Sequence, residues 1–182
     1  LPAVSGDADA TAFIRAAISY VNTAIYKKAL ATPAARGMGT TVVCAIARPD
    51  AAVFAHVGDS RAYLLHAGAL FQLTRDHSMV QELVEQGTIT EEEAYTHPQK
   101  NLITRALGVA EKVEADCGEV ALEEGDILLL CSDGLTNYVS VDDIACVLAQ
   151  TPFYKAADVL IEKALEGGGL DNVTVLLIGA QA

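Results

Sequence analysis

Apolar residues recur at helical spacing near the start of the chain and gather into short unbroken runs through its middle. Ile14, Ile18, Val21 and Ile25 predict an amphipathic helix from Asp9 or Thr11 to Leu30, with Asp9 or Thr11 as N-cap and Pro33 just past its end. Tyr20 and Tyr26 are expected to pack. A Pro-, Ala- and Gly-rich loop over Thr32–Gly39 precedes a β-branched run, Thr40–Ala47, which reads as a buried strand. Arg48-Pro49-Asp50 makes a turn. Strands are then expected over Ala51–Val57, Ala62–His66 and Ala69–Leu73, separated by Gly58-Asp59-Ser60-Arg61 and by the Ala67-Gly68 turn.

The texture changes at Thr74. Residues 74–107 carry helix-forming stretches: His77–Gln86 closed by Gly87, Thr90–Tyr95 opened by a Thr90/Glu93 capping box, and a third, short and apolar, around Leu102–Leu107. With little apolar content, this insert is expected at the rim of the domain and more mobile than the core. Strand-like chain resumes over Val113–Val120. Glu123–Asp126 turns into Ile127–Cys131, an unbroken apolar run that needs cover on both faces and therefore belongs inside a sheet. Val141–Leu148, capped by Ser140, and Ala156–Leu165, followed by Gly167–Gly169, read as helices before a last strand, Val173–Ile178. Helices segregated from a largely antiparallel sheet make the fold class α+β, in one domain without repeats.

The central strand ends at Asp133-Gly134. A carboxylate at the end of a buried strand loses water and must be paired, hydrogen-bonded or bound to a cation. Gly134 is expected to permit a sharp turn, and Asp-Gly after a strand is also an ordinary turn. Two further acids share its setting at glycine-flanked strand boundaries, Asp59 in Val57–Arg61 and Asp171 in Gly168–Asn172. Acids gathered at one end of a sheet repel unless a cation joins them, and hard oxygen ligands favour Mg²⁺ or Mn²⁺.

Composition narrows the partners. With 24 acids against 12 lysines and arginines, the net charge of −12 disfavours nucleic acid and anionic membranes, and no basic patch reverses this. A chain of 182 residues, 52% hydrophobic, can bury a sizeable core, and no apolar run reaches bilayer-spanning length. Cys44, Cys117, Cys131 and Cys146 are widely spaced and read as reduced core residues of a cytoplasmic protein. Leu1–Gly6 resembles neither a translation start nor a signal peptide, which suggests a portion of a longer chain.

Six ordered motifs carry a family resemblance: Gly37-Met38-Gly39-Thr40-Thr41, His56-Val57-Gly58-Asp59-Ser60-Arg61, Thr74-Arg75-Asp76-His77-Ser78, His97-Pro98-Gln99, Cys131-Ser132-Asp133-Gly134-Leu135 and Asp171-Asn172-Val173-Thr174. Over residues 10 to 180 the chain resembles bacterial metal-dependent Ser/Thr protein phosphatases of the 2C type. The resemblance implies a four-layered β-sandwich flanked by helices, with 74–107 as a flap. It implies two Mg²⁺ or Mn²⁺ ions and a third, looser one, with Asp133 and Asp171 at the first, Asp59 again with Asp133 at the third, and Asn101 where some relatives place a serine ligand. The implied reaction is hydrolysis of phosphoserine and phosphothreonine in proteins by a metal-activated water. The implied partners are phosphoprotein substrates and a Ser/Thr kinase or its targets, for a monomeric signalling enzyme.

Relatives of this type also carry, ahead of the helix that opens here, an Arg for phosphate, a Glu-Asp pair and an Asp-Gly-Met-Gly-Gly-His motif with the acid that bridges two metals. The present sequence contains none of these, and Gly37-Met38-Gly39 offers no acid in their place. Residues 1–182 are thus expected to be the C-terminal portion of a catalytic domain, the alternative being a phosphatase-like regulatory module without activity. The usual general acid belongs to that other segment, so His56, His77 and His97 are expected to serve packing or flap hydrogen bonding. Cys131 lacks the glycine- and arginine-rich phosphate loop of a cysteine phosphatase and is expected in the core.

Overall fold

A computed structural model describes residues 7–180; the Leu1–Gly6 reading lies outside them. The elements are α1 (Asp7–Ala31), β1 (Val42–Ala47), β2 (Ala51–Val57), β3 (Arg61–His66), β4 (Ala69–Gln72), α2 (Met79–Glu85), α3 (Glu91–Thr96), β5 (Asp116–Ala121), β6 (Ile127–Cys131), α4 (Asp133–Thr136), α5 (Val141–Gln150), α6 (Phe153–Glu166) and β7 (Val175–Gly179). Strands β1-β2-β5 form one sheet and β4-β3-β6-β7 another. The α+β expectation holds. Contacts divide the chain into two compact units: one takes the chain up to Val42, Ala55–Asp59 and Arg75–Cys117, the other Val43–Phe54, Ser60–Thr74 and Gly118 onward.

The second unit is built around β6. This strand pairs antiparallel with β3, placing Tyr63 opposite Leu129 and Ala62 opposite Leu130, and with β7, placing Leu128 opposite Ile178. Because successive side chains of a strand face opposite ways, its unbroken apolar run supplies two cores. Leu129 and Cys131 join Tyr63 and Leu65 beneath Leu135, Ile144, Val147 and Leu160 of the helical layer. Leu128 and Leu130 join Ala62 and Leu64 on the opposite face, against Ala52 and Leu122. Cover on both faces is what the sequence run demanded.

At the β3–β4 hairpin, Ala67 and Gly68 adopt φ of 49° and 82°, the paired positive angles that suit the twist of a two-residue hairpin loop. His66 at its base holds buried Asp126 through Nδ1 to Oδ1 at 2.9 Å, while Asp126 Oδ2 accepts the Glu123 N–H. The hydrogen bond and then the charge of Asp126 raise the His66 pKa above 6.5. A raised folded-state pKa stabilises the protein fully below the unfolded value, and that contribution disappears as pH rises through the folded one. His66→Gln should therefore lower the melting temperature more at pH about 5.5 than at pH about 8.5; equal losses at both would contradict the charged pair.

In the first unit the buried stripe of α1 runs Ala10, Ile14, Ile18, Asn22 and Ala29. Asp9 and Thr11 lie inside this helix and do not cap it. Val21 and Tyr20 face solvent, Tyr20 77% exposed, so the packing expected of both is corrected. The helix turns Asn22 inward instead, where Nδ2 donates to the carbonyls of Ala110 and Glu111 and Oδ1 accepts the Gly108 N–H at 2.8 Å. A fully satisfied amide is tolerated in a core. β1 proves half-buried, not buried. Cys146, expected in the core, is exposed on α5, whose inward positions are Ile144, Val147 and Leu148.

Residues 77–104 carry two short helices. Ser78 caps α2 by accepting the Gln81 N–H, so the helix starts two residues later than expected. The Thr90/Glu93 capping box forms as anticipated. Leu102–Leu107 makes no helix, because its backbone is engaged elsewhere: Met79 N donates to Leu102 O, Thr104 N to His77 O, and Leu107 pairs with Thr40. Among the described residues, no helix is long and apolar enough to cross a membrane.

Candidate metal centre and its supporting residues

Asp133 is the first residue of α4, directly after buried β6 and the capping position Ser132. Burial and the charge of Asp171 raise its pKa above 3.8, against hydrogen bonds from the backbone N–H groups of Gly134 and Asp133 and from Asn137. Asn137 Nδ2, one helical turn on, donates to Asp133 Oδ2 at 3.2 Å. A half-buried carboxylate facing a second one gains from a divalent cation, which removes the repulsion between them. The donor set therefore fits Mg²⁺ or Mn²⁺.

The Asp171 segment is fastened to the end of β6 by Ser132. Its hydroxyl donates to Asn172 O at 3.2 Å and accepts the Thr174 N–H at 3.0 Å, while Ser132 N donates to Thr174 O. Asp171 Oδ1 accepts the Asn172 N–H at 2.7 Å. Gly134 has a different task from the expected turn. It is helical and buried, and a Cβ there would lie 2.3 Å from Asn172 O, so glycine is required for close approach of the Asn172–Val173 backbone that follows Asp171.

The other expected ligands lie in the first unit. Asp59 follows Gly58, whose φ of 109° is closed to ordinary side chains and whose Cβ would strike Thr41 Cγ2 at 2.3 Å. Asn101 is exposed, after a turn in which His97 Nδ1 accepts the Gln99 N–H.

The sequence reading did not single out the cluster formed by His56, His77 and Asp116, whose ligand-type atoms lie within 4.8 Å of one another. Both histidines are buried and their rings stack at 4.7 Å. His56 Nε2 contacts Arg75 O at 2.7 Å and so carries its proton, leaving buried Nδ1 without a hydrogen-bond partner. His77 Nδ1 accepts the Gly58 N–H at 3.1 Å, which puts the His77 proton on Nε2, 3.2 Å from Asp116 Oδ2. The carboxylate approaches the Nε2–H without the angle of an aligned hydrogen bond. A proton on the one inward nitrogen of His77 makes the trio unsuitable for a cation. Burial lowers the His77 pKa, opposed by Asp116 and reinforced by Arg105 and His56. Burial tends to raise the Asp116 pKa, but His77 and Arg105 hold it below 3.8. The His77 site could have been suspected only from its place in Asp76-His77-Ser78; nothing local marked Asp116.

Comparison with known proteins settles the family. The family model described as Protein phosphatase 2C matches residues 5–173. The serine/threonine phosphatase stp of Listeria welshimeri is 47% identical over 167 residues, covering 91% of this chain and 66% of that protein. The protein phosphatase PhpP of Streptococcus pneumoniae is 46% identical, covering 79% of this chain and 58% of PhpP. The crystal structure of serine/threonine phosphatase Stp1 from Staphylococcus aureus superposes with a TM-score of 0.95 at 38% identity, covering all of this chain and 72% of Stp1. The catalytic domain of PstP, solved with 2 manganese ions, aligns at a TM-score of 0.85 and 40% identity over 95% of this chain and 72% of that one. The chain belongs to the protein phosphatase 2C family. It spans about two thirds of the length of the Listeria relative it matches.

Proposed function

We propose that the protein hydrolyses phosphoserine and phosphothreonine in proteins with the help of Mg²⁺ or Mn²⁺. The observation that carries this reading is the Asp133–Asp171 pair, in which the burial of Asp133 and then the charge of Asp171 raise the proton affinity of Asp133. Family membership and the manganese-bound PstP relative support it. Asp133 and Asp171 would hold one ion, and Asp59 and Asn101 are the further candidate ligands. When bound, such ions supply the Lewis acidity that activates water and offsets charge on the phosphoryl group.

The chain's own groups hold and orient that charge. Asn137 and the Gly134 N–H aim the Asp133 carboxylate, and Ser132 holds the Asp171 segment. Cys131 is 2% exposed within the core beneath the helices, which leaves no covalent role for it. On this reading residues 1–182 are the C-terminal portion of the catalytic domain and 74–107 its flap. The enzyme is a cytoplasmic monomer acting on the targets of a Ser/Thr kinase.

The test is phosphate release from a phosphoserine peptide by the full-length gene product, with Mn²⁺ and with chelator. Release that requires the metal is expected. No release with either would overturn the proposal and leave the regulatory module as the better reading; equal release in both would overturn the role given to the metal.

A further inference from the structure

We propose that His77 is a positioning residue for Asp59: its ring and backbone together pin the Gly58 turn that presents this acid. The proposal rests on the phosphatase reading, in which Asp59 is a metal ligand.

The clamp is reciprocal. Gly58 N donates to His77 Nδ1 at 3.1 Å in a buried hydrogen bond, and His77 N donates to Gly58 O at 3.0 Å. Both polar groups of the Gly58 backbone therefore end on one residue. The Arg75–His77 segment is fastened a second time, by His56 Nε2 donating to Arg75 O. Thr41 crowds the Gly58 Cα, since its methyl group occupies the space where a Gly58 Cβ would stand. A backbone with φ of 109°, hydrogen-bonded at both its N–H and C=O and crowded at its Cα, has little freedom to re-aim the residue that follows it.

The ring is held in turn. Asp116 Oδ2 approaches His77 Nε2 at 3.2 Å, and Asp116 Oδ1 accepts from Arg105 Nη1 at 2.9 Å. The stacked ring of His56 covers one face. Arg105 orients Asp116, the negative charge of Asp116 beside Nε2 favours the His77 proton there, and the lone pair at Nδ1 is left to accept the Gly58 N–H. The same logic governs histidines behind metal centres generally, where an outer partner fixes tautomer and ring orientation.

Three variants of the full-length protein separate positioning from mere packing. In His77→Ala, the Gly58 amide should exchange its hydrogen much faster, and Mn²⁺ affinity by calorimetry should fall by about tenfold or more, the usual effect of removing such support. In His77→Asn, the side-chain oxygen can accept the Gly58 N–H from a position near that of Nδ1, so both readouts should return close to wild type. Asp116→Ala keeps the Gly58 bonds but releases the ring, and should give an intermediate loss; it also serves if His77→Ala does not fold. Faster Gly58 exchange with unchanged Mn²⁺ affinity would overturn the proposal, as would His77→Asn behaving like His77→Ala. Unchanged Mn²⁺ affinity in Asp59→Asn would instead overturn the ligand reading on which it rests.

Discussion

Asp133→Asn is expected to raise the melting temperature of the metal-free protein at neutral pH and to abolish the further rise that Mn²⁺ produces in the wild type. Burial and the Asp171 charge raise the Asp133 pKa in the folded state. The folded protein then binds the proton more tightly than the unfolded chain, so stability falls as pH rises from 3.8 through the folded pKa. Above that value the ionised group is a standing cost, which a neutral amide of the same shape removes while Asn137 stays at hand to hydrogen-bond it. The wild type recovers stability only through a cation. At a free concentration a hundred times the dissociation constant, binding adds about 2.7 kcal/mol, or about 5–11 °C for a chain of this size. The variant should gain nothing from Mn²⁺. A lower melting temperature without metal, or an undiminished Mn²⁺ response, would contradict this account of Asp133.

Gly134→Ala should be costly for a different reason. The added methyl group would lie 2.3 Å from Asn172 O and 3.0 Å from its carbonyl carbon, both backbone atoms with no rotamer to relieve them. Overpacking of this kind costs about 1–3 kcal/mol, a fall of about 2–12 °C in melting temperature. The relief available is a shift of the Asn172–Val173 backbone away from α4, which carries the adjoining Asp171 with it, so Mn²⁺ affinity should weaken with stability. Unchanged melting and unchanged Mn²⁺ binding would show that the segment does not need this approach.

Elements whose signal is local were legible in the sequence. The bounds of β2 and β6 follow from apolar runs, and the start of α3 from a Thr-x-x-Glu box that forms as expected. The acids Asp133 and Asp171 were visible because each interrupts apolar chain beside glycine. What escaped depends on partners remote in sequence. Asn22 occupies the buried stripe of α1 because carbonyls some ninety residues away receive it, and no spacing rule favours Asn22 over Val21. Leu102–Leu107 has the composition of a short helix, yet its backbone pairs with Met79, His77 and Thr40. Gly134 looked like a turn glycine, and its need arises from a backbone nearly forty residues on. The His77 clamp was hidden for the same reason, since a histidine's tautomer is decided by its neighbours in space.

The most direct test of the account is a Mn²⁺ titration of the full-length protein, followed by calorimetry, for the wild type, Asp133→Asn and Asp171→Asn. Saturable binding in the wild type, lost in Asp133→Asn and weakened in Asp171→Asn, is the predicted result. Superimposable isotherms for all three would contradict the claim that the acids at the end of the central strand hold a divalent cation.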